Sequence, residues 1–544
     1  MKLSAKTILT MLFAMASLAS VAQARPKLVV GLVVDQMRWD YLMRYQSRYV
    51  DGGFKRLLAE GYSCDNCQIN YLPTITAIGH SSIYTASVPS IHGIAGNNFR
   101  MDNRWVYCTD DSTVVGVGTT SDAGKMSPRN LLVTTMCDEL KLATNFRSKV
   151  IGVALKDRAS ILPAGHCADA AYWFDDQSEG FITSTYYMKE LPSWVKQFNQ
   201  KRLPRKMLSE KWETLFPVET YAQSTADDAP YDGPFLKGMP TTFPIDVPAI
   251  AKKTGVSLIR SIPAGCTLTF EMAKAALHGE KLGQRGECDF LAVSISPTDY
   301  VGHQFGINAV ETEDTYLRLD RDLADFLSEL DRTVGRGNYL FFLSADHGGA
   351  HNISFNQDHG IPSEPWSMGE TSRALNTYLK QKYATNSKLV FKISNCQVFL
   401  DHEAISAAGI DEAQLRRDVI DFLKPDKRFA YVADMEQLAT SSMPQLIRER
   451  AINGYNRFRS GDIQVVLQPA CYGESRKTHI TGTTHGVWNP YDAHIPCVFM
   501  GWNIPQGSTN REVHITDIAA TVCAMLHVQM PNGCIGEPIE ALAK

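Results

Sequence analysis

Residues 28–35, Leu-Val-Val-Gly-Leu-Val-Val-Asp, form an almost unbroken apolar run that ends at an aspartate. A run without polar alternation is typical of a strand that is buried on both faces of a parallel sheet. Four more runs of this kind, which we also predict to be buried parallel strands, lie at residues 150–155, 290–296, 339–343 and 495–500.

A helix is predicted over residues 311–334, between the strands at 290 and 339. Its apolar residues recur at spacings of three and four, as at Leu319, Leu323 and Phe326. A strand, a helix and a second strand in this order are the repeating unit of α/β proteins. We therefore predict an α/β fold with a doubly wound sheet, in which segments at about 173–281 and 374–476 are inserted over one core sheet.

The composition is that of a large globular protein. The chain has 544 residues, 44% of them hydrophobic, with 54 Lys and Arg against 58 Asp and Glu and a formal net charge of −4. The hydrophobic fraction excludes a disordered chain. The charge balance gives no basic surface, so we predict no nucleic acid partner.

The first 24 residues have the features of a cleavable signal peptide. Lys2 and Lys6 form a short positive region before an apolar stretch at 7–21. Ala22-Gln23-Ala24 then fits the small-residue cleavage pattern. The apolar stretch is too short to span a bilayer, and no later run reaches the roughly 18 apolar residues that a spanning helix needs. We predict cleavage after Ala24 and a periplasmic or secreted protein with no stable membrane anchor.

All twelve cysteines lie beyond the predicted cleavage site, in a compartment that permits disulfides. Cys64 and Cys67 form the single CxxC pair. Without a second such pair, a disulfide or unreactive thiols explain them better than a zinc or redox site.

Charged side chains follow four of the predicted strands at their carboxyl ends. They are Asp35, the pair Lys156 and Arg158, Asp299, and the pair Asp346 and His347. Ligands of open α/β sheets bind beyond these strand ends, so we expect these side chains to converge at one edge of the sheet. A single aspartate in such a position is more often a turn cap, but its recurrence after three strands favours a functional site.

Carboxylates and imidazoles together favour a site for zinc or another first-row metal. Asp299 and His303 are four residues apart and can share one metal, while Asp346 and His347 offer two adjacent ligands. His485 lies in the small-residue loop Gly-Thr-Thr-His-Gly at 482–486. Spacing alone does not choose between these histidines and four others near the same segments, His80, His351, His359 and His494.

Thr74 and Thr76 precede a predicted helix that runs to Thr85. A hydroxyl in such a position is usually an N-cap. Beside divalent metals it can instead be an activated nucleophile that faces a bound anion. The sequence does not decide between Thr74 and Thr76.

Seven segments, in order along the chain, resemble those of the alkaline phosphatase superfamily. The segments are Val-Val-Asp-Gln-Met-Arg at 33–38, Thr-Ala-Ile-Gly-His at 76–80, His-Gly-Ile-Ala-Gly-Asn-Asn at 92–98, Leu-Lys-Asp-Arg at 155–158, Asp-Tyr-Val-Gly-His at 299–303, Ala-Asp-His-Gly-Gly at 345–349 and Gly-Thr-Thr-His-Gly at 482–486. The likeness is strongest to bacterial periplasmic phosphomonoesterases that have a threonine nucleophile and a metal site like that of type I phosphodiesterases and nucleotide pyrophosphatases. It implies a three-layer αβα core around a mostly parallel sheet, with inserted cap segments, in one catalytic domain at 25–544.

The same resemblance implies a site with two zinc ions per chain. Four residues would bind one zinc: Asp35, Thr76, Asp346 and His347. Three would bind the other: Asp299, His303 and His485. Three more would hold the phosphate: Asn97, Lys156 and Arg158. Thr76 would attack phosphorus and form a phosphothreonine that water hydrolyses. The two cations suit a monoester dianion better than a diester, which has one oxygen fewer to offer them.

The predicted function is therefore that of a zinc-dependent alkaline phosphatase, a monomer that acts on small-molecule phosphate monoesters. The nearest alternative is a phosphodiesterase or nucleotide pyrophosphatase that uses the same two metals. The export signal disfavours a cofactor-independent phosphoglycerate mutase, and the lack of a Cys-x-Pro-x-Arg motif disfavours a sulfatase. A non-catalytic exported protein that the metals stabilise is a further alternative.

Overall fold

The computed structural model of the chain describes residues 25–101 and 103–543. The predicted signal peptide, residues 1–24, lies outside this range. Among the helices of the described residues, none is both long enough and apolar enough to cross a membrane.

The described residues form alternating strands and helices. The strands are β1 Leu28–Val34, β2 Tyr62–Cys64, β3 Cys67–Gln68, β4 Asn98–Met101, β5 Arg104–Tyr107, β6 Gly116–Val117, β7 Val150–Ala154, β8 Ala170–Asp175, β9 Gly180–Ser184, β10 Asp289–Ile295, β11 Tyr339–Ser344, β12 Pro365–Trp366, β13 Val390–Ser394, β14 Gln397–Leu400, β15 Phe429–Asp434, β16 Ile463–Leu467, β17 Tyr472–Gly473, β18 His494–Ile495, β19 Cys497–Gly501, β20 Gly507–Thr509 and β21 Val513–His514. The α-helices are α1 Tyr41–Arg44, α2 Phe54–Glu60, α3 Thr76–Thr85, α4 Pro89–His92, α5 Met136–Ala143, α6 Asp157–Ala164, α7 Ser193–Gln200, α8 Leu203–Met207, α9 Val247–Thr254, α10 Ala264–Gly279, α11 Pro297–Phe305, α12 Val310–Leu330, α13 Ile353–Asp358, α14 Met368–Lys382, α15 His402–Ala407, α16 Glu412–Leu423, α17 Gln445–Gly454, α18 Pro490–Ala493 and α19 Asp517–Leu526.

The core is a ten-stranded sheet with β1 near its centre. The strand order is β20-β2-β19-β11-β1-β10-β7-β8-β9-β6. The consecutive strands from β11 to β8 are parallel to one another, and antiparallel pairs flank them on both sides. This sheet confirms the predicted α/β fold class.

The parallel register brings the carboxyl ends of three central strands to one edge of the sheet. Val34, at the end of β1, pairs with Ile295 at the end of β10. Val33 pairs with Ser344 at the end of β11. The residues that follow these strands therefore start from neighbouring positions, as the sequence predicts.

Helices cover both faces of the sheet. All seven residues of β1 are buried, which requires that neither of its faces is open to solvent. Tyr84 of α3 packs on Phe290 of β10 and Phe342 of β11. On α10 and α12, Phe270 and Phe326 pack together with ring centroids 5.1 Å apart. The three-layer αβα core is thus confirmed, and α12 is the helix predicted at 311–334, extended by a π-helical turn at Asp331–Gly335.

For one of the five predicted parallel strands, the predicted direction is wrong. The run at 495–500 forms two strands, β18 and β19, and β19 is antiparallel to β11. Pro496 between them has no N–H to donate, which explains the break. A continuous apolar run indicates burial on both faces. It does not indicate the direction of the strand, which depends on the edge of the sheet from which the preceding connection enters.

A second sheet lies within the predicted insertion at 374–476. Its order is β13-β14-β16-β15, with every pair antiparallel, and it has a hydrophobic cluster of its own. The other predicted insertion, 173–281, contains β9 and α10, which are part of the core sheet and its helical cover. That the two segments are insertions into one catalytic domain stays a prediction.

The twelve cysteines are all free thiols in the described structure. The contact with Cys497, together with burial, raises the pKa of Cys64 well above its ordinary value. A raised pKa disfavours the thiolate that metal binding or redox chemistry needs. The CxxC pair therefore agrees with the expectation of unreactive thiols.

Candidate active site

Two adjoining groups of carboxylates and imidazoles lie at the carboxyl edge of the sheet. The first is Asp299, His303 and His485, whose ligand atoms are all within 4.8 Å of one another. Asp299 and His303 are one turn apart on α11, with 3.1 Å between Asp299 Oδ1 and His303 Nε2. His485 Nε2 lies 3.7 Å from the same oxygen. The structure brings together the three residues that the family resemblance assigns to one ligand set.

Both histidines of this group are oriented through their other ring nitrogen. His303 Nδ1 donates to the carbonyl oxygen of Thr483 at 2.8 Å, and His485 Nδ1 donates to that of Thr74 at 2.7 Å. Because a carbonyl oxygen only accepts, Nδ1 of each histidine carries a proton, and it is Nε2 that faces the site. Burial lowers the pKa of His485 well below its ordinary value, which keeps this imidazole neutral.

The second group consists of Asp35, Thr76, Asp346 and His347. His347 Nε2 lies 3.6 Å from Asp35 Oδ1, 3.4 Å from Asp346 Oδ2 and 3.4 Å from Thr76 Oγ1. Its Nδ1 donates to its neighbour's carbonyl oxygen at 2.9 Å, so Nε2 again faces the site. The rings of His347 and His485 stack with centroids 3.5 Å apart. The two groups therefore form one continuous site.

Lys156 connects the two groups. Its Nζ lies 2.6 Å from Asp35 Oδ2 and 2.6 Å from Asp299 Oδ2. Burial alone would lower the pKa of Lys156, but the two carboxylates raise it above its ordinary value, so the ammonium stays charged. The side chain also lies over the Tyr300 ring, 4.9 Å from its centroid.

The donor set fits divalent metal ions. Asp35 Oδ1 and Asp346 Oδ2 are buried and have no hydrogen-bond partner among the described residues. Burial, followed by repulsion from Asp346, raises the pKa of Asp35 well above its ordinary value. When Asp35, Asp299 and Asp346 are ionised, the single charge of Lys156 leaves two negative charges without compensation. Carboxylate oxygens beside neutral imidazoles are the ligands that zinc and related first-row ions prefer.

The structure distinguishes the two candidate threonines. Thr74 Oγ1 lies 3.0 Å from the carbonyl oxygen of Val487 and 3.1 Å from Asp492 Oδ2, and it accepts from the N–H of Gly486. It therefore holds the loop that carries His485. Thr76, the first residue of α3, has its hydroxyl in the site.

Two of the three predicted phosphate ligands, Asn97 and Arg158, lie on the side of the site next to the β4–β5 hairpin, whereas Lys156 contacts the two carboxylates described above. Asn97 Oδ1 accepts the N–H of Ala77, which places this amide beside Thr76. Arg158 Nη1 donates to the hydroxyl of Tyr107 at 2.9 Å. Arg158 Nε is buried and has no hydrogen-bond partner within the described part of the chain, which leaves one side of its guanidinium for a ligand.

Two residues that sequence reasoning missed also belong to this site. Gln36 has a left-handed backbone (φ 62°), and its side chain donates to Asp299 Oδ1 at 2.7 Å. Its main-chain N–H donates to Asp346 Oδ1 at 3.1 Å, so Gln36 joins the two ligand groups. Tyr107 orients Arg158. Gln36 adjoins Asp35 in the sequence and could have been found, whereas nothing in the sequence singles out Tyr107.

The four competing histidines lie outside the two groups. His80 is the nearest, with Nδ1 3.3 Å from Asp346 Oδ2 and 2.8 Å from the carbonyl oxygen of Thr76. His351 contacts Asn308, while His359 and His494 pack on aromatic rings. The metal-binding and catalytic roles of the site residues stay predictions.

Comparisons with known proteins agree with this geometry. The model of a family described as type I phosphodiesterase / nucleotide pyrophosphatase matches residues 29–488. Three relatives share about half of their residues with the chain. They are a Myroides odoratus protein named a calcium-transporting ATPase (52% identity, 98% of both chains), alkaline phosphatase PhoV of Synechococcus elongatus (50%, covering 96% of this chain and 94% of PhoV) and alkaline phosphatase PafA of Elizabethkingia meningoseptica (50%, 95% and 94%).

The crystal structure of wild-type PafA superposes on this fold with a TM-score of 0.93, covering 96% of this chain and all of that chain. An ordered set of motifs, a shared sheet and a full-length match thus agree. The chain belongs to the type I phosphodiesterase / nucleotide pyrophosphatase family, within the alkaline phosphatase superfamily.

Proposed function

We propose that this protein is an exported alkaline phosphatase that hydrolyses phosphate monoesters, with Thr76 as its nucleophile. The observation that carries the proposal is the arrangement of the Thr76 hydroxyl and the Lys156 ammonium in one site lined by carboxylates and imidazoles. The half-identical, full-length alkaline phosphatases PafA and PhoV support the same activity.

Thr76 would carry out the reaction in two displacements. Thr76 gives up its hydroxyl proton to solvent, and its Oγ1 forms a bond to phosphorus while the bond from phosphorus to the substrate alcohol breaks. The departing alkoxide takes up a proton from solvent. A water molecule then attacks the phosphothreonine, which releases inorganic phosphate and restores the Thr76 hydroxyl. Thr76 is the first residue of α3, and the positive end of a helix dipole favours an anion at this position.

The proposed cofactors are two zinc ions per chain. Asp299, His303 and His485 would hold one ion. Asp35, Thr76, Asp346 and His347 would hold the other. When bound, such a pair supplies Lewis-acid stabilisation of the attacking and leaving oxygens. Two divalent charges would outweigh the two uncompensated negative charges of the site and leave it positive, as a phosphate dianion requires.

Selectivity for monoesters would come from Lys156, Arg158 and Asn97. Arg158 keeps Nε without a partner among the described residues. The Lys156 ammonium lies between the two ligand groups, 2.6 Å from a carboxylate oxygen of each. A monoester offers these donors charged oxygens that a diester replaces in part with an ester group. The phosphodiesterase alternative, which the family description also allows, would require that these cations act away from the phosphate.

Steady-state kinetics on the mature protein, residues 25–544, test the proposed function. We expect kcat/KM for an aryl phosphate monoester to exceed that for the matching diester by at least a hundredfold. Activity should vanish on chelation and return with zinc, with two zinc ions per chain by elemental analysis. Replacing Lys156 or Arg158 with Ala should lower monoester turnover far more than diester turnover. A preference for the diester in the wild type would assign the protein to the phosphodiesterases.

The nucleophile is tested by a matched pair of variants. Thr76→Val keeps the shape of the side chain but has no hydroxyl, so we expect no phosphorylated enzyme and a loss of kcat of at least a thousandfold. Thr76→Ser keeps the hydroxyl and should retain a measurable fraction of the activity. Mass spectrometry of acid-quenched enzyme locates the phosphate. Phosphorylation of the Val variant would contradict the assignment.

Export is proposed from the signal peptide predicted at residues 1–24. We infer that the mature protein starts at Arg25 and acts as a monomer in the periplasm or outside the cell. Intact mass of the protein recovered from the periplasm and from the medium checks the cleavage site.

A further inference from the structure

A pair of buried carboxylates lies outside the catalytic site. Glu311 is fully buried and Asp232 is 5% exposed. All four of their carboxyl oxygens are buried without a hydrogen-bond partner among the described residues, apart from a contact of Glu311 with its own main-chain N–H. Buried carboxyl groups that nothing satisfies are costly, whether they are ionised or protonated.

The charged groups that act on this pair are themselves acidic. Burial, followed by repulsion from Asp232, raises the pKa of Glu311 well above its ordinary value. Burial, followed by repulsion from Asp227 and Asp228, raises the pKa of Asp232 to about 8. The strongest electrostatic influences on the pair thus come from acids. Of these, Asp227 accepts a main-chain N–H, and Asp314 accepts a main-chain N–H and pairs with Arg318.

We propose that Asp232 and Glu311 are the anionic ligands of a calcium site, separate from the catalytic centre. Both of these ligands are carboxylates, which favour a hard divalent cation over the softer first-row metals. Calcium accepts irregular geometry and main-chain carbonyl oxygens, whereas magnesium requires near-octahedral geometry and retains several waters. Asp232 lies in a loop and Glu311 in the first turn of α12, so the two carboxylates come from different segments, an irregular arrangement that suits calcium.

The loop that carries Asp232 supports two segments of the catalytic site. Gly233 N–H donates to the carbonyl oxygen of Gln304 at 2.9 Å, and the Gln304 side chain donates back to Gly233. The carbonyl oxygen of Tyr231 accepts the N–H of Gly482 at 2.8 Å. Gln304 follows His303, and Gly482 begins the loop of His485. A calcium ion at Asp232 would fix this loop and, through it, the backbone of both histidines.

Calcium binding to the zinc-loaded protein tests the proposal. The mature protein is stripped of metal, reloaded with saturating zinc and titrated with calcium chloride or magnesium chloride. We expect about one calcium per chain by elemental analysis after desalting, and a rise in Tm of several degrees with calcium but not with magnesium. Asp232→Asn and Glu311→Gln should each abolish both effects, whereas Asp51→Asn, at a fully exposed carboxylate, should preserve them.

Several outcomes would overturn the proposal. The proposal is wrong if the wild-type protein keeps no calcium and has the same Tm with and without calcium. It is also wrong if magnesium alone raises the Tm. A Glu311→Gln variant more stable than the wild type at neutral pH, with neither protein responding to calcium, would identify the pair as protonated acids. Because the wild-type titration stands by itself, a variant that fails to fold leaves the test intact.

Discussion

Asp492 is a buried carboxylate that fastens the loop of His485. Its Oδ2 accepts the N–H groups of Gly486 at 2.8 Å and Val487 at 2.9 Å and lies 3.1 Å from Thr74 Oγ1. Its Oδ1 is buried and without a partner in the described structure. Burial raises the pKa of Asp492 to about 7, so this carboxyl group makes folding depend on pH.

Asp492→Asn is expected to flatten that dependence. Between about pH 4 and 7 native Asp492 binds a proton that the unfolded chain has released, so the free energy of unfolding falls as pH rises, by at most about 1.4 kcal/mol per unit. Asparagine can still accept from the loop but does not titrate. Denaturant unfolding of both zinc-loaded proteins at pH 5 and pH 8 measures the difference, and parallel changes in the two proteins would contradict this account.

Tyr107 is a positioning residue for Arg158. Its hydroxyl accepts from Arg158 Nη1 and donates to Asp157 Oδ1, each at 2.9 Å. Tyr107→Phe frees the guanidinium, so kcat/KM for a monoester should fall roughly tenfold, mainly through KM, as loss of one charged hydrogen bond implies. Diester turnover should change little. Tyr186→Phe, at a partly exposed tyrosine bonded to a carbonyl oxygen, is the control, and an equal loss on both substrates would count against the role.

For single residues, the sequence predicts which side-chain types form the candidate site better than it predicts which side chains contact one another. Carboxylates and imidazoles indicate candidate metal ligands because metal sites need these groups, and the ordered motifs favour His485 over His351 and its competitors. The pairing of Lys156 with Asp35 and Asp299 could not be predicted, since it depends on how β1, β7 and β10 align. Nor does spacing in the sequence show which of Thr74 and Thr76 faces the site.

Among the elements, α3 approaches the segment after β11 more closely than any side chain would permit. A Cβ placed on Gly79 would lie 2.2 Å from the carbonyl oxygen of Asp346 and 2.6 Å from its Cα. Both Thr76 and Asp346 belong to the site, so the glycine sets their separation.

Gly79→Ala should therefore move α3 away from Asp346. We expect loss of roughly 1–3 kcal/mol of stability from overpacking and a tenfold to hundredfold fall in kcat, because small displacements of catalytic groups are costly. Gly369→Ala, at an exposed position of α14 where the nearest atom to an added Cβ is 3.7 Å away, should be neutral or stabilising. Thermal unfolding and steady-state kinetics measure both, and normal activity of the Gly79 variant would show that the helix can shift without harm.

The sequence predicts the location of strands that have strong apolar patterns. It predicts less well the direction in which each strand pairs with its neighbour. β1, β7, β10 and β11 are parallel strands as expected, because continuous apolar runs indicate burial on both faces. The predicted direction of β19 is wrong because the chain between β11 and β19 passes through the second sheet, and this long connection sets the edge at which β19 starts. The existence of that sheet was visible in the sequence only as a mixture of helical and extended segments.

In the whole molecule, one rigid sheet supports a site assembled from distant segments. The seven predicted metal ligands come from residues 35 to 485. Asp35, Asp346 and His347 follow strands, Thr76 begins α3, Asp299 and His303 lie on α11, and His485 lies in a loop. The core behind them is continuous and apolar, so it does not depend on the site for its packing. The site itself concentrates three carboxylates, which repel one another unless cations are bound.

Removal of metal should therefore abolish activity while leaving the fold in place. We expect chelated protein to keep its far-ultraviolet circular dichroism spectrum and to unfold at a Tm several degrees lower than the zinc-loaded form, because only the native state offers the assembled ligand set. Zinc should restore both Tm and turnover. The difference in Tm should shrink as pH falls through the range in which the ligand imidazoles and carboxylates take up protons. If the chelated protein instead lost its secondary structure, the apolar core alone would be insufficient to maintain the fold. The metals would then be required for folding, as in small zinc domains.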